Sequence, residues 1–267
     1  MISDSDARDF AAELRAAEFS GTAVDLPTTR FPTLDWTGAR RIAVERDAMR
    51  RADGDAQIGY KLGWTSAAMR DALGIDQPNW GTLWRSQGLE GVVNLTPLRH
   101  PKAEPEIVYL AGRDIEGPNV TTDDVLSSAA GWAVGIEVVH PRYESFDFAW
   151  LDNTADNSSA GAVAVGPMTA LTGDPAALQI RFSDGIDDRT GLGEQAMGSP
   201  ASAVAWLVHQ LHAEGQRLRE GEIVFTGGLT APFDVDRSSK LRAHSTVLGM
   251  VEITTTNSAS EETPWPE

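Results

Sequence analysis

Apolar positions repeat with two different periods along this chain, and the change falls near residue 57. Over the first 55 residues the spacing is helical: Ala7, Phe10, Ala11, Leu14 and Ala17 share one face at a 3.6-residue period, with Ser5 placed to cap the helix. Pro27 and Pro32 interrupt the pattern, and a second helix is predicted from Thr37 to Ala52, ended by Asp53-Gly54. Residues 58–64 read as a strand, Thr65 or Ser66 as the cap of a short helix through Met69 to Leu73, and Gly74 as its terminating glycine. From Gly81 onward short strands dominate: Glu106–Leu110, Ala133–Val139, Ala162–Val165, Ala177–Phe182, Glu222–Thr226 and Val247–Ile253. Helices are predicted near Asp123–Trp132 and after Pro200, where Val204, Leu207, Val208 and Leu211 keep helical spacing. Frequent strands without strict helix alternation predict an α+β fold rather than a doubly wound sheet. The chain divides into a helical segment over 1–57, a core over 58–255 and a Ser/Glu/Pro-rich tail over 256–267 that is expected to be disordered.

Composition narrows the partners. The net charge of −17 disfavours nucleic acid and anionic membrane surfaces, both of which need clustered Lys and Arg. It leaves room for a small anionic substrate, because one bound divalent cation reverses the field inside a pocket. No apolar run is long enough to span a membrane, and the acidic start, Met1-Ile-Ser-Asp, lacks the features of a secretory signal. The absence of cysteine excludes disulfides, thiolate metal sites and a cysteine nucleophile, and fits a cytoplasmic location.

Candidate chemistry sits in five runs. In Ala103-Glu104-Pro105-Glu106, residues i and i+2 of a strand face one side, so two carboxylates can converge on a cation; Pro105 suggests an edge or a strand start. An exposed acidic turn would explain the same letters. Glu137 is the single charge in Trp132-Ala-Val-Gly-Ile-Glu137-Val-Val, where a buried carboxylate must be protonated, paired or bound to metal. Three carboxylates without a Cys or His set make a hard oxygen site suited to Mg²⁺ or Mn²⁺. The run from Asp152 through Asp156, Asn157, Ser158 and Ser159 suits either a turn or a polar site. Lys61, between Gly59 and Gly63 in an apolar strand, is poorly explained by solvation and could stabilise an enolate. In Gly221-Glu-Ile-Val-Phe-Thr226-Gly227-Gly228-Leu-Thr230, glycines permit close backbone approach to an anion. His209 and His212 read as a helix surface, Gly191-Leu-Gly193 lacks a dinucleotide fingerprint, and no Gly-x-Ser-x-Gly supports a serine hydrolase.

Taken in order, these runs resemble the fumarylacetoacetate hydrolase superfamily. The closer likeness is its 2-hydroxypenta-2,4-dienoate (2-oxopent-4-enoate) hydratase and 4-oxalocrotonate decarboxylase branch. It is carried by Gly59-Tyr-Lys61-Leu-Gly63-Trp-Thr65-Ser66, Leu73-Gly-Ile-Asp76-Gln-Pro78-Asn79-Trp-Gly81, Ala103-Glu104-Pro-Glu106-Ile, Gly135-Ile-Glu137-Val-Val, Ala155-Asp156-Asn157-Ser158-Ser159-Ala160, Gly198-Ser-Pro200 and Gly221-Glu-Ile-Val-Phe-Thr226-Gly227. The resemblance implies a mixed β-roll core with the N-terminal helical segment packed on it, and a catalytic domain over 58–255. It implies a divalent metal, Mg²⁺ or Mn²⁺, on Glu104, Glu106 and Glu137, and a small 2-oxo acid substrate. Lys61 and Asp76 become the expected catalytic residues, and Asp156, Asn157, Ser158, Thr226, Gly227 and Thr230 the expected substrate contacts. A homo-oligomer is also implied, as is association with a pathway hydratase or decarboxylase.

The chain departs from that pattern at three positions. The branch's hydratases carry Asp-Gln-Pro-Asp, whereas this chain has Asp76-Gln77-Pro78-Asn79, and Asn cannot act as a general base. Trp64 and Trp84 stand where smaller side chains are usual, and with Asn79 and His140 they are candidate pocket residues. Pro141-Arg142-Tyr143 looks more like the decarboxylases. Asp76-Gln77-Pro78 looks like the hydratases, and hydration of a 2-oxo-4-enoate is the leading expectation, with decarboxylation the next. Hydrolysis of an acylpyruvate C–C bond, or a catalytically silent partner subunit, are the further alternatives.

Overall fold

The structure, a computed structural model, describes residues 2–88, 91–235 and 240–256. The expected disordered tail lies outside the described residues except for Thr256, which ends a strand. In chain order the elements are α1 (Asp4–Ser20), α2 (Pro27–Arg30), α3 (Trp36–Ala52), β1 (Gln57–Gly63), α4 (Ala67–Leu73), β2 (Asn79–Trp84), β3 (Val92–Asn94), β4 (Lys102–Ala111), α5 (Thr122–Ser128) and β5 (Ala129–Val139). They continue with α6 (Trp150–Ala155), β6 (Ala160–Val165), β7 (Gln179–Ser183), β8 (Asp188–Leu192), α7 (Pro200–Ala213), β9 (Ile223–Phe225), β10 (Phe233–Asp234), β11 (Lys240–Ser245) and β12 (Gly249–Thr256).

Two mixed sheets form the body. One runs β2-β1-β9-β4-β5-β6 with β10 on β4, and the other β3-β12-β11-β7-β8. Tyr109, Ile136, Val138, Phe182, Leu241 and Ile253 belong to one buried cluster that joins the two sheets, and α7 adds Val204, Leu207, Val208 and Leu211 to it. The N-terminal helices have their own core: Phe10, Leu14 and Ile42 pack with Tyr143 and Ala155, so α1 and α3 share buried surface with α6. Full burial of each large side chain there contributes about 1.5–3 kcal/mol.

The helical periods locate α1, α3, α4 and α7, with α3 and α4 within a residue or two of their observed bounds. The cap of α1 is Ser3 rather than Ser5: the Ser3 hydroxyl accepts from the Asp6 N–H. The helix expected through Trp132 stops at Ser128, and β5 begins at Ala129. Trp132 pairs with Tyr109 across β4–β5 and packs edge-to-face on its ring, and that tertiary pairing overrides the local pattern.

Pro105 sits inside a central strand, not at an edge. Its carbonyl accepts from the Leu229 N–H, so its ring nitrogen faces the same side, in the gap between the β10 and β9 pairings. No ladder hydrogen bond is lost there. Strands β2, β3, β8, β10 and β11 were not predicted from the pattern; β2 is buried at every position and shows no alternation.

Candidate active site

The β4–β5 ladder pairs Glu104 with Glu137 and Glu106 with Gly135. Period two carries Glu104 and Glu106 to the same face, and register brings Glu137 to meet them. One carboxylate oxygen from each lies within 4.8 Å of the others. A Cβ at Gly135 would stand 2.5 Å from both Phe225 and Val108, so the position opposite Glu106 admits no side chain. Glu106 and Glu137 are buried and Glu104 half-buried. Burial, and then the Glu137 charge, raises Glu104 to about 7 and drives Glu106 well above the usual carboxylate range. Burial raises Glu137 as well, opposed by Lys61.

Little compensates this charge. The Gly227 N–H donates to Glu106 Oε2 at 2.6 Å, while Glu106 Oε1 and Glu137 Oε1 are buried with no hydrogen-bond donor. Gly228 is packed so closely that a Cβ would lie 2.6 Å from Glu104 Oε2. Orphaned, convergent carboxylate oxygens are the donor set a hard divalent cation takes, and the residues fit Mg²⁺ or Mn²⁺.

Lys61 faces this cluster from β1, where it pairs with Gly81 on β2 and Phe225 on β9. It is buried, with Nζ 3.2 Å from Glu137 Oε2. Nζ donates to Ser158 O at 2.7 Å and to Ser158 Oγ at 3.0 Å. Ser158 reaches it because Asn157, Ser158 and Ser159 all adopt left-handed backbone (φ 53°, 52° and 55°), a costly run held by surrounding bonds. Asn157 holds one end: its Oδ1 accepts from the Thr82 N–H and its Nδ2 donates to Thr82 O, both at 2.8 Å. Glycines make room, since a Cβ at Gly81 would lie 2.3 Å from Asn157 O and one at Gly63 would lie 2.4 Å from Ser158 Oγ.

The expected site residues separate into two groups. Glu104, Glu106, Glu137, Lys61, Ser158, Asn79 and Gly227 come together, and Trp64 joins them through Asn153. Asn153 was not singled out, although it lies in the polar run after Asp152. The other group is occupied elsewhere. Asp156 is fully buried but bound by Arg142, Nε to Oδ1 at 2.5 Å and the Arg142 N–H to Oδ2 at 3.1 Å. Asn157 spends its amide on Thr82, and the Thr226 hydroxyl donates to Ile107 O. Thr230 Oγ1 donates to the Ala231 carbonyl. Asp76 is exposed in the turn between α4 and β2. Trp84 is buried at the far end of β2, beside the guanidinium groups of Arg50 and Arg51. His140 is buried, its Nδ1 accepts from the Arg99 N–H, and burial, with Arg142 second, lowers it to about 3. It lines a cavity of about 810 Å³ with Arg15, Glu18, Arg50 and Arg142, and none of the glutamates of the cluster borders that space. His209 bonds the Val120 carbonyl and His212 is exposed, as a helix surface requires.

Comparison with known proteins follows the same lines. No family model matches the chain. It is 33% identical over 261 residues to a 2-keto-4-pentenoate hydratase of Burkholderia vietnamiensis, covering 96% of this chain and all of that protein. The fold superposes with a TM-score of 0.91 on 4-oxalocrotonate decarboxylase from Pseudomonas putida G7, complexed with magnesium and adipate, at 26% identity over 96% of this chain and 99% of that one. A fumarylpyruvate hydrolase from Pseudomonas aeruginosa, in complex with Mn²⁺ and pyruvate, shares the fold more distantly, with a TM-score of 0.60 at 18% identity over 76% of this chain and 90% of that one. Among the described residues no helix is long and apolar enough to cross a membrane.

Proposed function

The chain belongs to the fumarylacetoacetate hydrolase superfamily, in its 2-keto-4-pentenoate hydratase branch, and from that premise we propose that it hydrates a 2-oxo-4-enoate to a 4-hydroxy-2-oxo acid. It is a divalent-metal-dependent lyase acting on a small 2-oxo acid. One observation carries the assignment of the site: three convergent carboxylates, two of them buried with uncompensated oxygens, face a buried lysine.

Glu104, Glu106 and Glu137 would hold the cation. When bound, it supplies Lewis-acid stabilisation of negative charge building on the 2-oxygen of the substrate. The chain's own part is proton handling. Lys61 commits two N–H bonds to Ser158, and its remaining proton faces the cluster. We assign that proton to C5 of the 2-hydroxydienoate, while the 2-hydroxyl proton passes back to the Lys61 amine, which leaves the conjugated 2-oxo-3-enoate. Water oxygen then adds at C4, and a proton goes to C3. Burial excludes bulk water from Lys61, so its protons are exchanged within the site.

A second reading draws on Asn79. Among the described residues no free carboxylate other than the cluster contacts Lys61 or Ser158 to activate water: Asp76 is exposed and Asp156 is held by Arg142. Decarboxylation needs no activated water, because the electron pair left by departing CO₂ runs to the same 2-oxygen. Purified protein with Mg²⁺ and a 2-hydroxydienoate should consume the dienol absorbance and give a 4-hydroxy-2-oxo acid by NMR. Release of CO₂ from an unsaturated 2-oxo dicarboxylate, with no hydration of the dienoate, would instead establish the decarboxylase. No turnover of any 2-oxo acid by metal-loaded protein would overturn both.

The proposal extends to the architecture. We read the two sheets as one β-roll, residues 58–255 as the catalytic unit and residues 1–57 as its support. Assembly into a cytoplasmic homo-oligomer, with docking to a pathway partner, belongs to the same reading, and sedimentation of the full chain tests the self-association.

A further inference from the structure

A chain of side-chain hydrogen bonds leads away from Lys61, and its direction is set at the far end. The Trp64 indole can only donate, and its Nε1–H meets Asn153 Oδ1 at 2.9 Å. That fixes which end of the Asn153 amide is oxygen, and Asn153 Nδ2 donates to Ser159 Oγ at 2.8 Å. Asn79 Nδ2 donates to the same Asn153 Oδ1 at 2.7 Å and to Thr154 Oγ1 at 3.1 Å. The Thr154 hydroxyl gives its own proton to Trp150 O, so it too can only accept from Asn79. Asn79 Oδ1 must then be an acceptor, and it takes the single proton of Ser158 Oγ at 2.9 Å. With that proton spent, Ser158 presents only lone pairs to Lys61, at Oγ and at its carbonyl.

We propose that Asn79 and Asn153 are positioning residues, aligned by Trp64, that turn Ser158 into a pure acceptor and thereby direct the third N–H of Lys61 at the carboxylate cluster. This rests on Lys61 as the proton-transfer group of the proposed reaction. All of the relay's members but Trp64 are buried, so a misdirected donor finds no water to replace its partner. An amide at position 79 is needed at both ends, since it donates to Asn153 and accepts from Ser158. A carboxylate there would face Asn153 Oδ1 and Thr154 Oγ1 with no proton to offer. Asn153 could relieve this by rotating its amide, but the Trp64 indole N–H would then point at an NH₂ group.

The relay therefore makes an unusual prediction of rescue. At pH 8, Asn79→Asp should lower kcat on the order of 10²-fold with KM little changed, as expected for a misaligned reacting group. Trp64→Phe alone should cost only a few-fold (roughly one neutral hydrogen bond). In the double variant Asn153 is free to rotate, so kcat should recover to near the Trp64→Phe value, and the thermal midpoint lost in Asn79→Asp should return with it. Effects that simply multiply, with no recovery of kcat or of the midpoint, would overturn the relay. The indole N–H resonance of Trp64, assigned by its loss in Trp64→Phe, should shift in Asn79→Asp, and an unmoved resonance would overturn it too. The resonance and the melting cycle are read without substrate, so they stand even where turnover assays refute the proposed reaction.

Discussion

Two regions of this molecule bury charge, and they do so in opposite ways. Around buried Asp156 and half-buried Glu18 the carboxylates are paired with guanidinium groups. Asp156 binds Arg142 and lies 3.5 Å from Arg46, while Glu18 contacts Arg15, Arg46 and Arg50. Around Glu137 three carboxylates converge on one lysine, with Glu106 Oε1 and Glu137 Oε1 lacking donors. Taking a charge out of water costs several kcal/mol, and only the first region offsets that within the chain. Paired buried charge ties the N-terminal helices to the loop before β6. Unpaired buried charge stores a demand that only a ligand meets, and that is the mark of a site.

The comparison breaks most readily at the glutamates. Glu106→Gln or Glu137→Gln should remove metal binding and lower activity on the order of 10³-fold. At a pH that ionises all three carboxylates, Glu106→Gln should raise the metal-free melting temperature, by about 2–4 °C for each kcal/mol of repulsion removed, whereas Glu137→Gln also breaks the Lys61 ion pair and should gain less. Isothermal titration with Mg²⁺ and differential scanning calorimetry of the metal-free protein check the two signs. A fall in the metal-free midpoint would mean the carboxylates are already compensated.

Breaking the paired region should act the other way. Arg142→Met leaves Asp156 buried with its main partner gone and should destabilise the fold by about 3–5 kcal/mol. Mg²⁺ affinity of the fraction that remains folded should stay unchanged. Urea unfolding followed with and without metal separates the two quantities.

This contrast also marks what could be read from the sequence. Glu104 and Glu106 were legible because a strand's period is two, and Glu137 because it is the lone charge in an apolar run. That Glu137 faces Glu104 is a matter of register, which depends on pairing partners and not on either strand alone. Asp156 and Ser158 sit two residues apart in one polar run and read alike as substrate contacts. Their difference comes from Arg142 and Arg46 on one side and from Lys61, 97 residues away, on the other. Asn79 and Trp64 stood out as departures, yet Asn153, which joins them, was hidden among turn-forming residues. Helices α1, α3, α4 and α7 were legible because their spacing follows local period, whereas the short α2 and α6 were not predicted and α5 was drawn too long. Strand β2, with no exposed face, offered no alternation to find.

A smaller effect belongs to His140, which borders the paired region. Burial, with Arg142 second, lowers it to about 3 in the folded chain against an ordinary value of 6.5. Between those values the unfolded chain binds the proton and the folded one does not, so stability rises with pH and is lost as pH falls below about 6.5. Over the step from pH 6.5 to 5 the loss should be about 2 kcal/mol. His140→Gln should flatten that part of the acid limb in urea titrations at fixed ionic strength. An unchanged slope would assign the acid sensitivity to other groups.

The smallest effect should come from an ion pair that looks as good as any in the interior. Arg181 and Asp188 meet at 2.6 Å across β7–β8, with a second bond from Nε at 3.1 Å. Their side chains are 64% and 45% exposed. Water solvates both partners whether or not they touch, and salt screens what attraction is left. Arg181→Ala should therefore leave the melting temperature within experimental error, at low salt and at high. If it instead moved the midpoint as far as Arg142→Met does, geometry rather than burial would govern these pairs. The reasoning that separates Asp156 from Glu137 by compensation in a dry interior would then fail with it.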